Sequence, residues 1–67
     1  MNEEKLNQSI RKFLKQVGVT SQREIELAVR SAAEAGTLPD GPVEVKVVLE
    51  CPQLGLTHEV DGQLEAR

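Results

Sequence analysis

Aromatic side chains are almost absent from this 67-residue chain, which has one Phe and no Trp or Tyr. Stacking on nucleobases or sugar rings would have only Phe13 to use. The single cysteine, Cys51, excludes a disulfide within one chain and fits a reducing compartment. With one His and one Cys, the chain also lacks the soft ligands of a four-coordinate zinc site. We therefore expect no metal and no other cofactor.

Long apolar runs are lacking as well. No stretch approaches the roughly 20 apolar residues of a membrane span, and the start MNEEKLNQS has neither region of a signal peptide. We therefore expect a cytoplasmic protein that has no membrane partner. The net charge is −3, from 8 basic and 11 acidic residues. This balance argues against nucleic acid as the main partner, because phosphate binding depends on a net positive face.

The apolar residues that are present follow a helical spacing in the first half of the chain. A first helix is predicted from about Glu3 to Val17, with Asn2 as its N-cap and Gly18 in the left-handed position that ends many helices. The residues that share its apolar face are Leu6, Ile10, Phe13, Leu14 and Val17. Because Phe13 is the largest of them, we expect it in the core, where truncation to Ala costs about 3–5 kcal/mol.

A second helix is predicted from about Gln22 to Ala35. Ser21 and Glu24 have the spacing of a capping box, and Gly36 is expected to stop the helix. Its apolar face consists of Ile25, Ala28, Val29 and Ala32. Leu27 falls instead among charged residues on the polar side, which makes it a predicted contact with a partner.

Two strands are predicted after a turn over residues 37–42, because apolar and polar residues then alternate with a period of two. The apolar positions are Val43, Val45, Val47 and Leu49 in the first strand and Leu56, His58, Val60 and Leu64 in the second. The loop between the strands covers residues 51–55. We predict an antiparallel register with Val47 opposite His58 and Lys46 opposite Glu59. A two-residue shift, with Lys46 opposite Asp61, keeps the same faces.

Together these elements predict an α+β fold in which two N-terminal helices pack on a C-terminal antiparallel β-hairpin, in the order α-α-β-β. Residues 1–67 would form a single small domain. A two-stranded sheet has two open edges, and Val48 is an apolar residue on the outward face. We therefore expect a monomer or a weak homodimer formed by edge-to-edge strand pairing, with Val48 as a contact with the partner.

The sequence contains no recognisable catalytic constellation. His58 is the only histidine and shares its strand face with apolar residues, with no nucleophile or carboxylate at a revealing spacing. Cys51 lies between Glu50 and Pro52, without the cation or helix N-terminus that activates a reactive thiol. We expect no catalytic residue, and the leading interpretation is a non-enzymatic binding or interaction protein whose partner is a protein.

The alternative is a small nucleic-acid-associated regulator that uses the basic side of the helix pair. The residues that would contact phosphate are Arg11, Lys12, Lys15, Arg23 and Arg30. The segment FLKQVGVTSQREIELAVRSA, followed by a hairpin as a wing, has the general shape of a winged helix-turn-helix. However, Glu24, Glu26 and Glu34 would face the phosphates, and the third helix of winged folds is lacking.

Two blocks of the sequence carry a resemblance to a known family. The block SIRKFLKQVGVTSQREIELAVRSA, with a later extended segment ending in PQLGLTHEVDG, resembles a family of short bacterial proteins catalogued as a domain of unknown function. The resemblance covers nearly the whole chain. It implies a bacterial, cytoplasmic, stand-alone domain, and it transfers no site residue.

Overall fold

The structure is a computed structural model and describes residues 1–66. Its elements are the helix α1 (Glu3–Ala35), the strand β1 (Val43–Cys51), a short 3-10 turn (Pro52–Leu54) and the strand β2 (Leu56–Leu64). They form two compact units, Met1–Thr37 and a second unit that begins at Leu38. The α+β class and the C-terminal antiparallel hairpin are confirmed. The prediction of two helices is wrong, because α1 is one helix of 33 residues.

Both ends of α1 lie where the sequence predicts them. At the start, the Asn2 side chain accepts a hydrogen bond from the Lys5 backbone N–H at 3.0 Å. At the end, Gly36 adopts the left-handed conformation with φ 73°. This lets the Thr37 N–H donate to the Ala32 carbonyl at 2.9 Å. A residue with a Cβ is strained at such a φ, so glycine is the residue that suits this end.

The predicted break between Val17 and Gln22 does not occur. Gly18 is not in the left-handed region, and the Thr20 hydroxyl donates to the Gln16 carbonyl at 2.8 Å, as it does inside a helix. A glycine inside a helix costs about 1 kcal/mol relative to Ala. A break would instead leave up to four N–H and four C=O groups without helical partners at the new ends. A continuous helix through Gly18 therefore costs less free energy than a break, and Ser21 does not start a helix.

The hairpin adopts the two-residue shift rather than the first predicted register. Lys46 pairs with Asp61 and Val47 pairs with Val60, so the predicted pairs of Val47 with His58 and Lys46 with Glu59 are wrong. The cause lies in the turn. The 3-10 turn begins at a proline, and Gly55 closes it with φ 65° and an N–H bond to the Pro52 carbonyl at 3.1 Å. The strands therefore pair up to their last residues on either side of a four-residue loop over 52–55.

The described part of the chain has no buried residue, so the predicted core is absent. Phe13, expected in that core, exposes 54% of its surface. The physical reason is that the predicted second helix is a continuation of the first. It therefore cannot fold back to cover the apolar face of the first helix. The predicted helix pair is therefore also wrong. The large cost expected for Phe13→Ala does not apply to a single chain.

Candidate interaction surfaces

The continuous helix joins the apolar faces of the two predicted helices into one surface, here called the helix stripe. The stripe consists of Leu6, Ile10, Phe13, Val17, Ser21, Ile25, Ala28 and Ala32. Leu14 and Glu24 fall within the same band, and Val29 lies beside it. At about 100° per residue, all eight positions fall within a band of roughly 120° around the helix. Since each residue adds about 1.5 Å, the advance of 26 residues from Leu6 to Ala32 extends this band over roughly 39 Å.

The larger side chains of the helix stripe are accessible to solvent. Leu6, Ile10 and Phe13 expose 42%, 45% and 54% of their surface, respectively. Val17 and Ile25 are half-buried. The apolar spacing that defines this surface was present in the sequence, but the assumed break at Gly18 divided it into two short faces of separate helices.

The five basic residues predicted to contact phosphate lie on the opposite side of α1. At 100° per residue, their positions around the helix fall within roughly 120° of one another. The five residues are Arg11, Lys12, Lys15, Arg23 and Arg30. Glu26 and Glu34 share this side, so the surface is mixed in charge rather than purely basic. Leu27 also lies outside the helix stripe, as its spacing predicts, and exposes 54% of its surface.

The hairpin has a second apolar face. In the observed register, β1 contributes Val43, Val45, Val47, Leu49 and Cys51 to this face, and β2 contributes Leu56, His58, Val60, Gly62 and Leu64. The other face is polar and pairs the opposite charges of Lys46 and Asp61. Val48 lies on this polar face, opposite Glu59, and exposes 44% of its surface.

His58 and Cys51 lie on the same hairpin face but are not direct partners. His58 is opposite Leu49, and Cys51 is opposite Leu56, which makes the two residues diagonal neighbours. Cys51 is a free thiol that is half-buried. Among residues 1–66, no hydrogen bond joins their side chains. The same residues contain no group of three or more His, Cys, Asp or Glu that could hold a metal ion.

Within residues 1–66, no helix has both the length and the apolar character that a membrane crossing requires.

The comparisons with known proteins agree with the resemblance seen in the sequence. No match was found among the curated proteins or among the solved structures. One family model, described as "Family of unknown function (DUF6494)", matches residues 1–67. The predicted membership in a domain family of unknown function is therefore confirmed, and the chain belongs to this family.

Proposed function

We propose that this protein is a non-enzymatic interaction domain that binds another protein chain through the helix stripe. The observation that carries the proposal is the largely apolar band that one continuous helix carries from Leu6 to Ala32, with Ser21 and Glu24 as polar members. If the band is as wide as a helix, about 12 Å, its area over roughly 39 Å is about 470 Å². Contiguous exposed apolar patches of this size commonly mark sites where proteins bind one another.

Binding would supply the burial that the single chain lacks. Fully burying a Leu, Ile or Phe side chain is worth about 1.5–3 kcal/mol, and Leu6, Ile10 and Phe13 still expose about half of their surface. A helix whose apolar side stays in water depends on intrinsic propensity alone, which supports only marginal stability. Phe13 is the natural anchor of the site, because aromatic side chains are over-represented among residues that dominate binding.

Leu27 and Val48 remain predicted contacts outside the helix stripe. Both are apolar residues on otherwise charged faces, one on α1 and one on the hairpin. Single exposed apolar residues are common on protein surfaces, so they add to the proposal only as secondary contacts. The same experiment that tests the stripe tests them.

Site-specific photo-crosslinking in living cells tests this proposal. We expect p-benzoylphenylalanine at Phe13 to give discrete crosslinked protein adducts, because that side chain lies in the stripe. The matched control places the same photoreactive group at Val19, which lies on the opposite side of the helix and is 51% exposed. Equal yields at Phe13 and Val19, or no adduct at Phe13, would contradict the proposal. Further variants labelled at Leu27 and Val48 report on those two contacts.

A second candidate function is a small nucleic-acid-associated regulator. The observation that favours it is the grouping of five cations on one side of a continuous helix. Glu26 and Glu34 on the same side and the net charge of −3 weigh against it. Retention on heparin at low salt, lost when Arg11 and Lys15 are both replaced by Gln, would support this function. A protein that passes through heparin unretained would refute it.

A further inference from the structure

We infer that the open edge of β1 pairs with the same edge of a second copy of this chain, in antiparallel orientation, with a two-fold axis beside Val48. In this register Val48 lies level with Val48 of the second copy, and Lys46 lies level with Glu50. The inference concerns the hairpin alone. It therefore goes beyond the proposed function of the helix stripe and does not rest on it.

The hairpin has strand edges that need a partner. The sheet formed by residues 1–66 has two strands, so β1 and β2 each have one edge without a strand beside it. Backbone N–H and C=O groups that point outward from such an edge can bond to a further strand. A two-stranded hairpin is marginally stable alone, whereas three or more strands with an apolar face can be stable. Pairing of two β1 edges gives a sheet of four strands in the order β2-β1-β1-β2.

Side-chain charge determines which edge can pair with itself. The polar face of β2 contains Glu59 and Asp61 and no cation. Antiparallel pairing of β2 with itself therefore brings acids together or leaves them without a cation. The polar face of β1 contains Lys46 as well as Glu44 and Glu50. Because like charges opposite each other destabilise a strand pair and opposite charges stabilise it, self-pairing favours the β1 edge.

The same charges select the register among those that keep the apolar faces on one side. A pairing centred on Val47 covers the whole of β1 but places Glu44 opposite Glu50 of the second copy. A pairing centred on Lys46 places the two lysines opposite each other. A pairing centred on Val48 places Lys46 opposite Glu50 at two symmetric positions. This register therefore converts the charges of the edge from repulsion to attraction.

The Val48 register also gives a long overlap. A pairing centred on Val45 matches opposite charges as well, but it overlaps only residues 43–47 of the two strands. The Val48 register overlaps residues 45–51, and this length corresponds to about seven main-chain hydrogen bonds. The longer ladder satisfies more of the backbone groups along the open edge of β1.

The observed register of the hairpin extends the match across the four-stranded sheet. Lys46 lies opposite Asp61 of its own chain, so in the dimer it lies between two acids, Asp61 and Glu50 of the second copy. Val48, an apolar residue on the polar face, gains a β-branched neighbour in Val48 of the second copy. On the other face the odd-numbered residues of β1 meet one another, so the apolar faces of the two hairpins become continuous.

This arrangement closes at two chains. The interface is isologous, since both copies use the same edge. Only the β2 edges then remain open, and their polar face carries Glu59 and Asp61 without a cation. Charged side chains on an edge strand are a common protection against further pairing. Pairing of β1 with β2 of the next copy would instead leave an open edge at every step and would not close.

Disulfide trapping tests which edge pairs. In a Cys51→Ser background, Val48→Cys places two thiols opposite each other, where Cα atoms lie about 4.5–5.5 Å apart, within the range of a disulfide. The matched control is Glu59→Cys, because Glu59 lies directly opposite Val48 in the hairpin. In the dimer the two control thiols lie three strand spacings, or about 14 Å, apart. We expect a disulfide-linked dimer from Val48→Cys and little from Glu59→Cys. Equal yields, or a higher yield from Glu59→Cys, would overturn the inference.

Sedimentation equilibrium of charge-reversed variants at low salt tests the register. Lys46→Glu and Glu50→Lys each convert both matched pairs into like charges, so we expect each variant alone to dimerise about tenfold more weakly than the parent. An equal mixture restores opposite charges at both positions, so the mixed dimer should form about as tightly as the parent dimer. A variant that only damaged its own hairpin would not be rescued by mixing. Failure of the mixture to dimerise, or variants that dimerise alone like the parent, would overturn the inference.

The unmodified chain provides the outcome that separates this inference from the proposed function. From micromolar to millimolar protein, where weak dimers form, we expect the apparent mass to rise from one chain to two and then stay constant. A mass of one chain throughout would refute the inference, and so would a mass that continues to rise beyond two. Neither result bears on the helix stripe, which crosslinking at Phe13 tests separately. Successful trapping at Val48 without any adduct at Phe13 would refute the proposed function alone.

Discussion

Replacing Gly18 with Ala tests whether α1 is one helix, and the matched control is Gly36→Ala. In the structure Gly18 has no left-handed φ, and a Cβ added there meets nothing within 4 Å. Gly36 has equally open surroundings, but its φ is 73°. The two substitutions therefore add the same methyl group to the same helix and differ in the backbone conformation that receives it.

The expected effects have opposite signs. At Gly18, Ala is better than Gly by about 0.8–1.0 kcal/mol, the difference in propensity inside a helix. At Gly36, Ala must adopt the left-handed conformation, which costs roughly 1–2 kcal/mol. The two variants should therefore differ in stability by about 2–3 kcal/mol at equal protein concentration. If Gly18 ended a first helix, as its sequence context alone predicts, both substitutions would destabilise.

Thermal unfolding followed by far-ultraviolet circular dichroism measures both effects at once. We expect Gly18→Ala to raise the midpoint and the helical signal of the parent, and Gly36→Ala to lower the midpoint. A Gly18→Ala variant with reduced helicity and a lower midpoint would show that the chain turns at this glycine. The continuous helix, and the helix stripe with it, would then be wrong.

Three further predictions concern the cap, the hairpin and the anchor of the stripe. Asn2→Ala should cost about 1 kcal/mol by removing the helix cap, and amide exchange in the first turn should then become faster. Cross-strand NOEs should join Val47 to Val60, and NOEs that place Val47 directly opposite His58 would contradict the register. Phe13→Ala should leave the helicity of dilute protein unchanged while weakening binding of the protein partner at least tenfold, or about 1.4 kcal/mol. Loss of the fold at every concentration would instead show that Phe13 belongs to a core within one chain.

The sequence was sufficient to predict the features that depend on one or two residues. Asn2 and Gly36 mark the ends of α1 because a cap and a left-handed glycine act locally. The alternation of apolar and polar residues in the strands fixed their faces for the same reason. These signals need no knowledge of what lies elsewhere in the chain.

The sequence was not sufficient where two alternative structures have similar free energies. Gly18 and Ser21 together have the pattern of a helix end followed by a helix start, but passing through one glycine costs only about 1 kcal/mol. The hairpin register was ambiguous because a shift of two residues preserves both faces, and the turn at Pro52 decided between them. The helix stripe was missed because it becomes visible only when the break is removed.

The side chains of the helix stripe are exposed in one chain, and we propose that another protein chain covers them. Photo-crosslinking at Phe13 in living cells tests this most directly, with Val19 on the opposite side of α1 as the matched control. We predict discrete protein adducts from Phe13 and few from Val19. Equal yields at the two positions, or no adduct at Phe13, would contradict the proposal.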